Sequence, residues 1–171
     1  CKDSIRSVII NDLNANFFAD DTLICANTPV IFNGVDSIVS TWSWDFGDGT
    51  TSTDSIPTHF YENEGIYEVR LSVSDGQGCN DTVIKSNYIE VQKVVADFEF
   101  SVPNECPSVT VFFNNNSTGG TEYIWDFGDG ANNIENNNNV VAHEYDSSGY
   151  FNPNLIATNN KTCFLQIFLD F

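Results

Sequence analysis

The chain has 171 residues, and its 24 acidic and 6 basic residues give a formal net charge of −18 at pH 7. A surface with this negative charge repels phosphate groups, and we therefore expect no nucleic acid partner. Apolar residues make up 41% of the chain, which is enough for one large or two small cores. They form no run of the roughly 18 residues that a membrane-spanning helix needs, so we expect a chain that is not inserted in a membrane.

The first segment, residues 1–13, reads as a piece of a repeat. The motif Cys1-x-Asp-Ser-Ile matches the motif Cys79-x-Asp-Thr-Val. Both have an Asp, a hydroxyl residue and an aliphatic residue at the same distances from the Cys. A β-rich stretch follows each of these motifs. The match predicts that residues 1–13 are the C-terminal strand remnant of a preceding repeat. In an alternative interpretation, Cys1 is the lipidated first residue of a bacterial lipoprotein.

The rest of the chain is predicted to form two homologous domains, residues 14–93 and residues 94–171. A shift of 81 places the W-D-F-G-D-G of Trp44–Gly49 on that of Trp125–Gly130. The second copy has three extra residues, which we assign to the loop Asn132–Asn139, and the shift beyond them is 84. Such an internal repeat is the sequence signature of tandem domains.

Short segments of alternating apolar and polar residues predict β-strands in both domains. Every second residue of Tyr67–Ser74 is apolar, which is typical of a half-buried strand. Trp44 and Phe46 are predicted to share a face, because side chains two apart on a strand point alike. About seven strands in about 80 residues predict an all-β chain of tandem immunoglobulin-like β-sandwiches.

The segment around Tyr67 predicts a tyrosine corner, in which a Tyr hydroxyl bonds to backbone a few residues upstream. The second domain has Phe151 at this position and Pro153 in place of Val69. Because Pro removes a backbone donor and is tolerated mainly at edges or bulges, we expect a less regular strand in the second domain.

Three motifs of the first domain point to a known family. They are W-x-F-G-D-G at Trp44–Gly49, P-x-H-x-Y at Pro57–Tyr61 and G-x-Y-x-V-x-L-x-V at Gly65–Val73. The second domain repeats W-D-F-G-D-G and keeps His143 and Tyr145 of the second motif. The chain thus resembles tandem PKD (polycystic kidney disease-type) domains. The resemblance implies a β-sandwich that serves extracellular proteins as a spacer or binding module.

The Cys positions and the phrase Gly78–Thr82 give a narrower resemblance. They are similar to PKD repeats of large type IX-secreted bacterial surface adhesins, such as gliding adhesins. This implies non-catalytic structural or spacer repeats of a large secreted cell-surface adhesin or filament. The expected partners are neighbouring PKD repeats of the same chain, with other surface proteins or glycans as further candidates. The expected location is extracellular, at the cell surface.

Two further functions stay open as alternatives to the adhesin. The domains could be accessory modules of a secreted hydrolase that bind insoluble polysaccharide or protein. Exposed aromatic side chains would carry such binding, and Trp42, which is extra to the family motif, is the candidate. The other alternative is a lattice-forming surface-layer protein.

Neither domain has a recognisable catalytic set. His59 and His143 occupy the same position in the two copies, which favours a hydrogen-bonded structural His over a general base. We therefore predict that the chain is not an enzyme and that it holds no cofactor other than calcium.

Calcium is the one metal that the sequence suggests. The candidate ligands are the carboxylates of the repeated motif, Asp45, Asp48, Asp126 and Asp129, because carboxylate oxygens suit Ca²⁺. Some members of the PKD family bind calcium near the strand that follows this motif. In the alternative interpretation, Asp48 and Asp129 bond to their own turns, as Asp before Gly often does.

The five Cys residues indicate an oxidising compartment. Repeat equivalence favours the disulfides Cys25–Cys79 and Cys106–Cys163 over pairs between domains. In the chain-entropy model each would stabilise its domain by about 4 kcal/mol. Cys1 would then belong to the preceding repeat. The alternative is that these residues are free, buried thiols.

Five Asp-Ser/Thr-aliphatic triplets are similar to the O-glycosylation signal of the type IX-secreting bacteria whose adhesins the chain resembles. Their candidate acceptors are Ser4, Thr22, Ser37, Ser55 and Thr82. The alternative is that these triplets are ordinary turns, in which Asp-Ser is common.

Overall fold

The structure is a computed structural model that describes residues 13–35, 39–103, 109–159 and 163–168. It divides into two compact units, Cys1–Val91 (unit 1) and Gln92–Phe171 (unit 2). Residues 1–12, which carry nearly all of the predicted strand remnant, lie outside the described residues. Every helix or strand within the described ranges is a β-strand, which confirms the predicted all-β fold. Those ranges accordingly contain no helix that could cross a membrane.

Unit 1 is a sandwich of two antiparallel sheets. One sheet has the strand order β1-β3-β6 and the other has the order β2-β8-β7-β4-β5. The strands are β1 Phe17–Ala19, β2 Leu23–Cys25, β3 Pro29–Gly34, β4 Thr41–Asp45, β5 Thr51–Ser52, β6 Thr58–Phe60, β7 Gly65–Ser74 and β8 Asn80–Gln92.

The alternation seen in the sequence decides which side of each strand of unit 1 is buried. Val69, Leu71 and Val73 of β7 are buried, and the residues between them are exposed or half-buried. The facing sheet contributes Phe17, Val30 and Phe32. Aromatic rings join the two sheets, since Phe17 meets Trp44 edge-to-face with 5.3 Å between ring centroids. An edge-to-face pair of this kind adds about 0.5–1.5 kcal/mol beyond the area it buries.

Unit 2 repeats this arrangement, except that its described residues contain no equivalent of β2. Its sheets have the orders β13-β10-β9 and β12-β11-β14-β15. The strands are β9 Phe98–Ser101, β10 Val109–Asn115, β11 Glu122–Asp126, β12 Asn132–Glu135, β13 Val141–Tyr145, β14 Asn154–Thr158 and β15 Phe164–Phe168. Phe98 meets Trp125 edge-to-face at 5.1 Å, as Phe17 meets Trp44 in unit 1.

The strand that contains the G-x-Y motif differs between the units, as predicted. It begins at Gly65 in unit 1, but β14 begins only at Asn154, five residues after the equivalent Gly149. Pro153 immediately precedes β14 and is buried. Pro153 has no N–H to donate to a strand ladder, and it lies just outside the regular strand.

Candidate functional site

The W-D-F-G-D-G motif ends β4 and β11 with the same tight turn. Gly47 and Gly128 have φ angles of +82° and +78°, which favour glycine. A Cβ on Gly47 would collide with the carbonyl oxygen of Glu68, and a Cβ on Gly128 would lie 2.7 Å from the backbone nitrogen of Asn152. The first glycine of the motif therefore lets the turn approach the neighbouring strand, and no larger residue fits there.

An aspartate, a histidine and two aromatic rings assemble on this turn in unit 1. Asp48 Oδ2 lies 2.7 Å from His59 Nε2, and Asp48 Oδ1 accepts hydrogen bonds from the N–H and hydroxyl of Thr50 at 3.0 and 2.6 Å. The His59 ring stacks on Phe46 with 4.1 Å between centroids. The edge contact of His59 with Tyr61 is 4.6 Å. We call this set, with its equivalents in unit 2, the turn cluster.

Unit 2 repeats the turn cluster almost unchanged. His143 Nε2 lies 2.7 Å from Asp129 Oδ2, and Asp129 Oδ1 accepts the N–H of Ala131 at 2.9 Å. The His143 ring stacks on Phe127 at 4.0 Å. The ring of Tyr145 completes the set, with 4.6 Å between its centroid and that of His143.

A buried tyrosine hydroxyl ties each turn cluster to the backbone. Tyr61 donates to the carbonyl of Phe46 at 3.1 Å, and Tyr145 donates to the carbonyl of Phe127 at 2.9 Å. The sequence analysis did not predict this bond. The spacing His-x-Tyr was the available signal, because it places both rings on the inner face of one strand.

The charges of the turn cluster are tuned by burial and hydrogen bonding. Burial acts to raise the pKa of Asp48, but bonds from Thr50 and His59 outweigh it and hold that pKa below its ordinary value of 3.8. The N–H of Ala131, followed by His143, lowers the pKa of the Asp129 carboxyl. Burial raises the pKa of Tyr145 to about 12.

The turn cluster is built for structure. The His59 and Asp48 side chains are only 13% and 17% exposed, and Phe46 covers one face of the imidazole ring. Each polar atom named above is held by a partner within the same cluster, and the arrangement recurs in both units. This confirms that His59 and His143 are hydrogen-bonded, as predicted, and their structural role stays a prediction.

The carboxylates predicted to bind calcium accept hydrogen bonds within their own turns. Asp48 and Asp129 hold their own turns and a His, as described above. Asp45 accepts the N–H of Gly47 at 3.0 Å, and Asp126 accepts that of Gly128 at 2.9 Å. Among the described residues, no group of three or more His, Cys, Asp or Glu could hold a metal ion. Calcium binding therefore stays a prediction, without support from this geometry.

The predicted Cys25–Cys79 disulfide is wrong, because the two residues lie toward opposite ends of β8. Cys25 ends β2, which lies beside the far end of β8, where the N–H of Glu90 donates to the carbonyl of Thr22 at 2.8 Å. Cys79 immediately precedes β8. About ten residues of strand, or roughly 30 Å, separate the two positions. A disulfide needs Cα atoms about 4–7 Å apart.

Disulfide bonding itself is supported. Cys25 is disulfide-bonded, and so is Cys163, which is buried. The free-thiol alternative is thereby excluded for these two residues. Cys1 and Cys106 lie outside the described residues, so the pair Cys106–Cys163 stays a prediction.

The predicted O-glycosylation positions differ in accessibility. Thr22 and Ser55 are exposed. Thr82 is also exposed, but its hydroxyl shares a hydrogen bond of 2.9 Å with a serine of β7. Ser4 and Ser37 lie outside the described residues. Modification of these residues stays a prediction.

Trp42 is not the exposed aromatic that the sequence analysis predicted. It is half-buried and packs against the core of unit 1, with its Nε1 close to Gly34. The physical reason is strand alternation, because Trp42 lies two residues before the buried Trp44 and points to the same side.

Exposed apolar side chains lie instead on the outer face of the β1-β3-β6 sheet. Phe18, Ile31 and Phe60 are 52%, 39% and 52% exposed, and we call them the apolar strip. Phe18 pairs with Asn33, and Ile31 pairs with Thr58. Adjacent members of the strip are therefore diagonal neighbours on one face, within reach of each other's side chains.

The fold and the repeated turn cluster define a class, tandem immunoglobulin-like β-sandwich modules. Residues 14–91 and 96–164 match the family described as PKD domain, so the chain belongs to the PKD domain family.

Named relatives share parts of this sequence. The microbial collagenase of Vibrio alginolyticus is 59% identical over 39 residues, which are 23% of this chain and 5% of the relative. Collagenase ColA of Clostridium perfringens (strain 13 / Type A) is 30% identical over 107 residues, which are 60% of this chain and 10% of the relative. The chain thus spans a tenth or less of the length of these relatives. A solved structure described as carbohydrate-binding modules from the β-sandwich superfamily aligns with 18% identity and a TM-score of 0.43, covering 90% of this chain and 82% of that chain.

Proposed function

We propose that the chain is a pair of accessory modules of a secreted hydrolase, which hold the enzyme on a fibrous protein substrate of the collagen type. PKD domains are non-catalytic modules, so their contribution would be binding and spacing. The observation that carries the proposal is the similarity of 60% of this chain to part of a collagenase. The extracellular location belongs to the same proposal.

The apolar strip is the surface we assign to substrate binding. It lies on one face of a sheet, and it presents two phenyl rings that are about half exposed. Contiguous apolar surface of this kind marks interaction sites on otherwise polar proteins. A long fibre with apolar side chains along its length could lie across such a face.

Unit 2 lacks this surface, which localises the proposed binding to unit 1. The residues equivalent to Phe18 and Phe60 are Glu99 and Glu144. Only Phe112, the equivalent of Ile31, is apolar, and it is 41% exposed. Two carboxylates beside one ring disfavour adsorption to an apolar fibre.

Sedimentation with insoluble collagen fibrils tests the proposal, with chitin and cellulose as alternative substrates. We expect the chain to sediment with collagen, and we expect the double variant Phe18→Ser, Phe60→Ser to lose most of this binding. Phe112→Ser in unit 2 is the matched control and should bind as well as the unaltered chain. Equal loss in both variants, or no binding of the unaltered chain, would contradict the proposal.

A spacer role in a large surface adhesin is the second candidate, and the presence of two successive PKD domains favours it. The native mass of the whole protein separates the two functions. A very long chain with many such repeats favours the adhesin stalk, whereas a chain with a hydrolase domain and few repeats favours the accessory module.

A further inference from the structure

The outer face of the sheet β12-β11-β14-β15 in unit 2 carries a continuous apolar surface. Ile134, Ile124 and Ile156 lie directly opposite one another on three adjacent strands, so their side chains leave the sheet on one face. Phe164 and Phe168 are diagonal neighbours of Ile156 on that face, because the residue between them pairs with Ile156. Ile134, Phe164 and Phe168 are 60%, 70% and 57% exposed. We call these five side chains the isoleucine face.

Unit 1 has a polar surface where unit 2 has the isoleucine face. The residues equivalent to Ile124 and Ile156 are Ser43 and Ser72, which pair with each other across β4 and β7. Ser72 continues this row to Thr82 on β8, and the two hydroxyls share a hydrogen bond of 2.9 Å. A row of hydroxyls is well solvated by water. Apolar side chains gathered on one exposed face mark an interaction surface instead.

The fold itself leaves the outer face of this sheet open. In unit 1 the structure describes all of β8, Asn80–Gln92, and Ser43 and Thr82 are nevertheless exposed. Ile84, the equivalent of Phe168, is 47% exposed. The second half of β8 extends the sheet beside β7 and does not cross its outer face. A molecule that covers the isoleucine face therefore comes from outside unit 2.

We propose that the isoleucine face packs against the same face of a second copy of the chain. Two sheets with apolar faces pack with about 10 Å between them, and a two-fold pair uses one patch twice. The exposed parts of Ile134 and the two Phe rings amount to roughly 300–400 Å² per copy. With their polar rim, the two copies would bury roughly 1,000–1,200 Å² in total, which is the low end for a specific interface. We therefore expect a reversible dimer with a dissociation constant of roughly 10–100 µM.

Charge sets how the dimer responds to salt. The isoleucine face is uncharged, and Glu122 and Asp126 lie two residues on either side of Ile124 along β11. Asp126 accepts hydrogen bonds from Gly128 and Asn154, and Glu122 is exposed, so both carboxylates belong to the rim. Repulsion between these rims is screened by salt, so the dimer should tighten as NaCl rises from about 0.05 to about 0.5 M. Weaker association at the higher concentration would indicate a contact between opposite charges and would contradict an apolar interface.

Sedimentation velocity of the full chain over a wide concentration range tests the proposal. We expect a shift from monomer to dimer, and we expect the double variant Ile134→Ser, Phe164→Ser to raise the dissociation constant at least roughly tenfold. Both side chains are more than half exposed, so their replacement leaves the core intact. The matched control Phe18→Ser, Phe60→Ser removes two rings of the apolar strip and should dimerise like the unaltered chain. A chain that stays monomeric, or a dimer lost only in the control, would overturn the proposal.

Hydroxyl-radical footprinting locates the contact without a variant. Phe164 should be oxidised less at concentrations that favour the dimer, whereas Phe60, which is 52% exposed, should be oxidised equally at all concentrations. Protection of Phe60 alone would place the contact on unit 1 and overturn the assignment. None of these readouts uses collagen, so they are independent of the proposed function. If the chain stays monomeric and the variant of Ile134 and Phe164 loses collagen binding, the fibre covers the isoleucine face and the dimer is overturned.

Discussion

The two units share one turn cluster but support it differently at their edges. In unit 1 the indole Nε1 of Trp44 donates to the carbonyl of Asp54 at 2.8 Å. The equivalent Nε1 of Trp125 is buried and has no hydrogen-bond partner among the described residues. In unit 1 the hydroxyl of Tyr67 also donates to the carbonyl of Asn63 at 2.9 Å, which confirms the predicted tyrosine corner.

A comparison of the two units shows which contacts both of them keep and which contacts only unit 1 has. Distances within the two turn clusters agree to about 0.1–0.2 Å, since the His–Asp contacts are both 2.7 Å and the tyrosine bonds are 3.1 and 2.9 Å. The described part of unit 2 has no equivalent of the tryptophan hydrogen bond, and Phe151 has no hydroxyl where unit 1 has that of Tyr67. The aromatic rings of the two units nevertheless pack in the same order. Unit 2 therefore keeps the cluster and the core, and we expect it to be the less stable unit because it lacks these edge contacts.

The largest expected effect is the loss of a stacked phenylalanine. Phe46→Ala and Phe127→Ala each remove a buried ring that lies against a His, so each should cost about 3–5 kcal/mol in the free energy of unfolding of its own unit. Chemical denaturation of the full chain, followed by circular dichroism, measures both. Clearly unequal costs would contradict the equivalence of the two clusters.

The next largest expected effect is a difference in stability between variants of Trp44 and Trp125. Trp44→Phe breaks the hydrogen bond to the carbonyl of Asp54, whereas Trp125→Phe removes an N–H that has no partner among the described residues. The first variant should therefore lose about 1–3 kcal/mol more than the second, because the loss of ring volume is the same in both. The unfolding free energies of the two variants check this. An equal cost would mean that the Nε1 of Trp125 is satisfied in solution.

The sequence was sufficient to predict the strands and the shared motif, because alternation and repeat identity act over a few residues. It was insufficient for the Cys25–Cys79 pair, because the extent of β8 decides which end of the sandwich each Cys occupies. The prediction for Trp42 was wrong although the sequence was sufficient to place it. Trp42 and Trp44 are two residues apart on one strand, so their side chains point to the same side. The apolar strip was overlooked because Phe18 directly follows the core residue Phe17, and the pair reads as one apolar run.

A smaller effect concerns alkaline pH and the two buried tyrosines. The pKa of Tyr145 rises from 10.0 to about 12 in the folded state, and burial also raises that of Tyr61. A raised pKa stabilises the fold fully below pH 10, and this contribution is lost as the pH rises toward the folded value. Because both tyrosines ionise near pH 10 in the unfolded chain, both units should begin to lose stability above pH 10, and the loss that comes from Tyr145 should be complete near pH 12.

Unfolding curves across this pH range check the alkaline prediction. The variant Tyr145→Phe should flatten the pH dependence of unit 2, because it has no hydroxyl to ionise, although it also loses the bond to Phe127. An unchanged profile of unit 2 in the variant would argue against the ionisation of Tyr145 as the cause.

Calcium should have the smallest effect. Because the oxygens of Asp48 and Asp129 already hold their own turns and a His, millimolar CaCl₂ should change the melting temperature of either unit little. A rise of several degrees that Asp48→Asn or Asp129→Asn abolishes would instead support the calcium site suggested by the sequence.

The first and last strands of unit 1 lie in different sheets but are tied together by side chains. The ammonium group of Lys85 on β8 donates to the carbonyl of Phe17 on β1, and the hydroxyl of Tyr88 accepts the N–H of Ala19. When tension is applied to the two ends of unit 1, these links are loaded together and resist sliding of one strand past the other. Mechanical resistance is thus built into the module at the strands through which force would enter and leave.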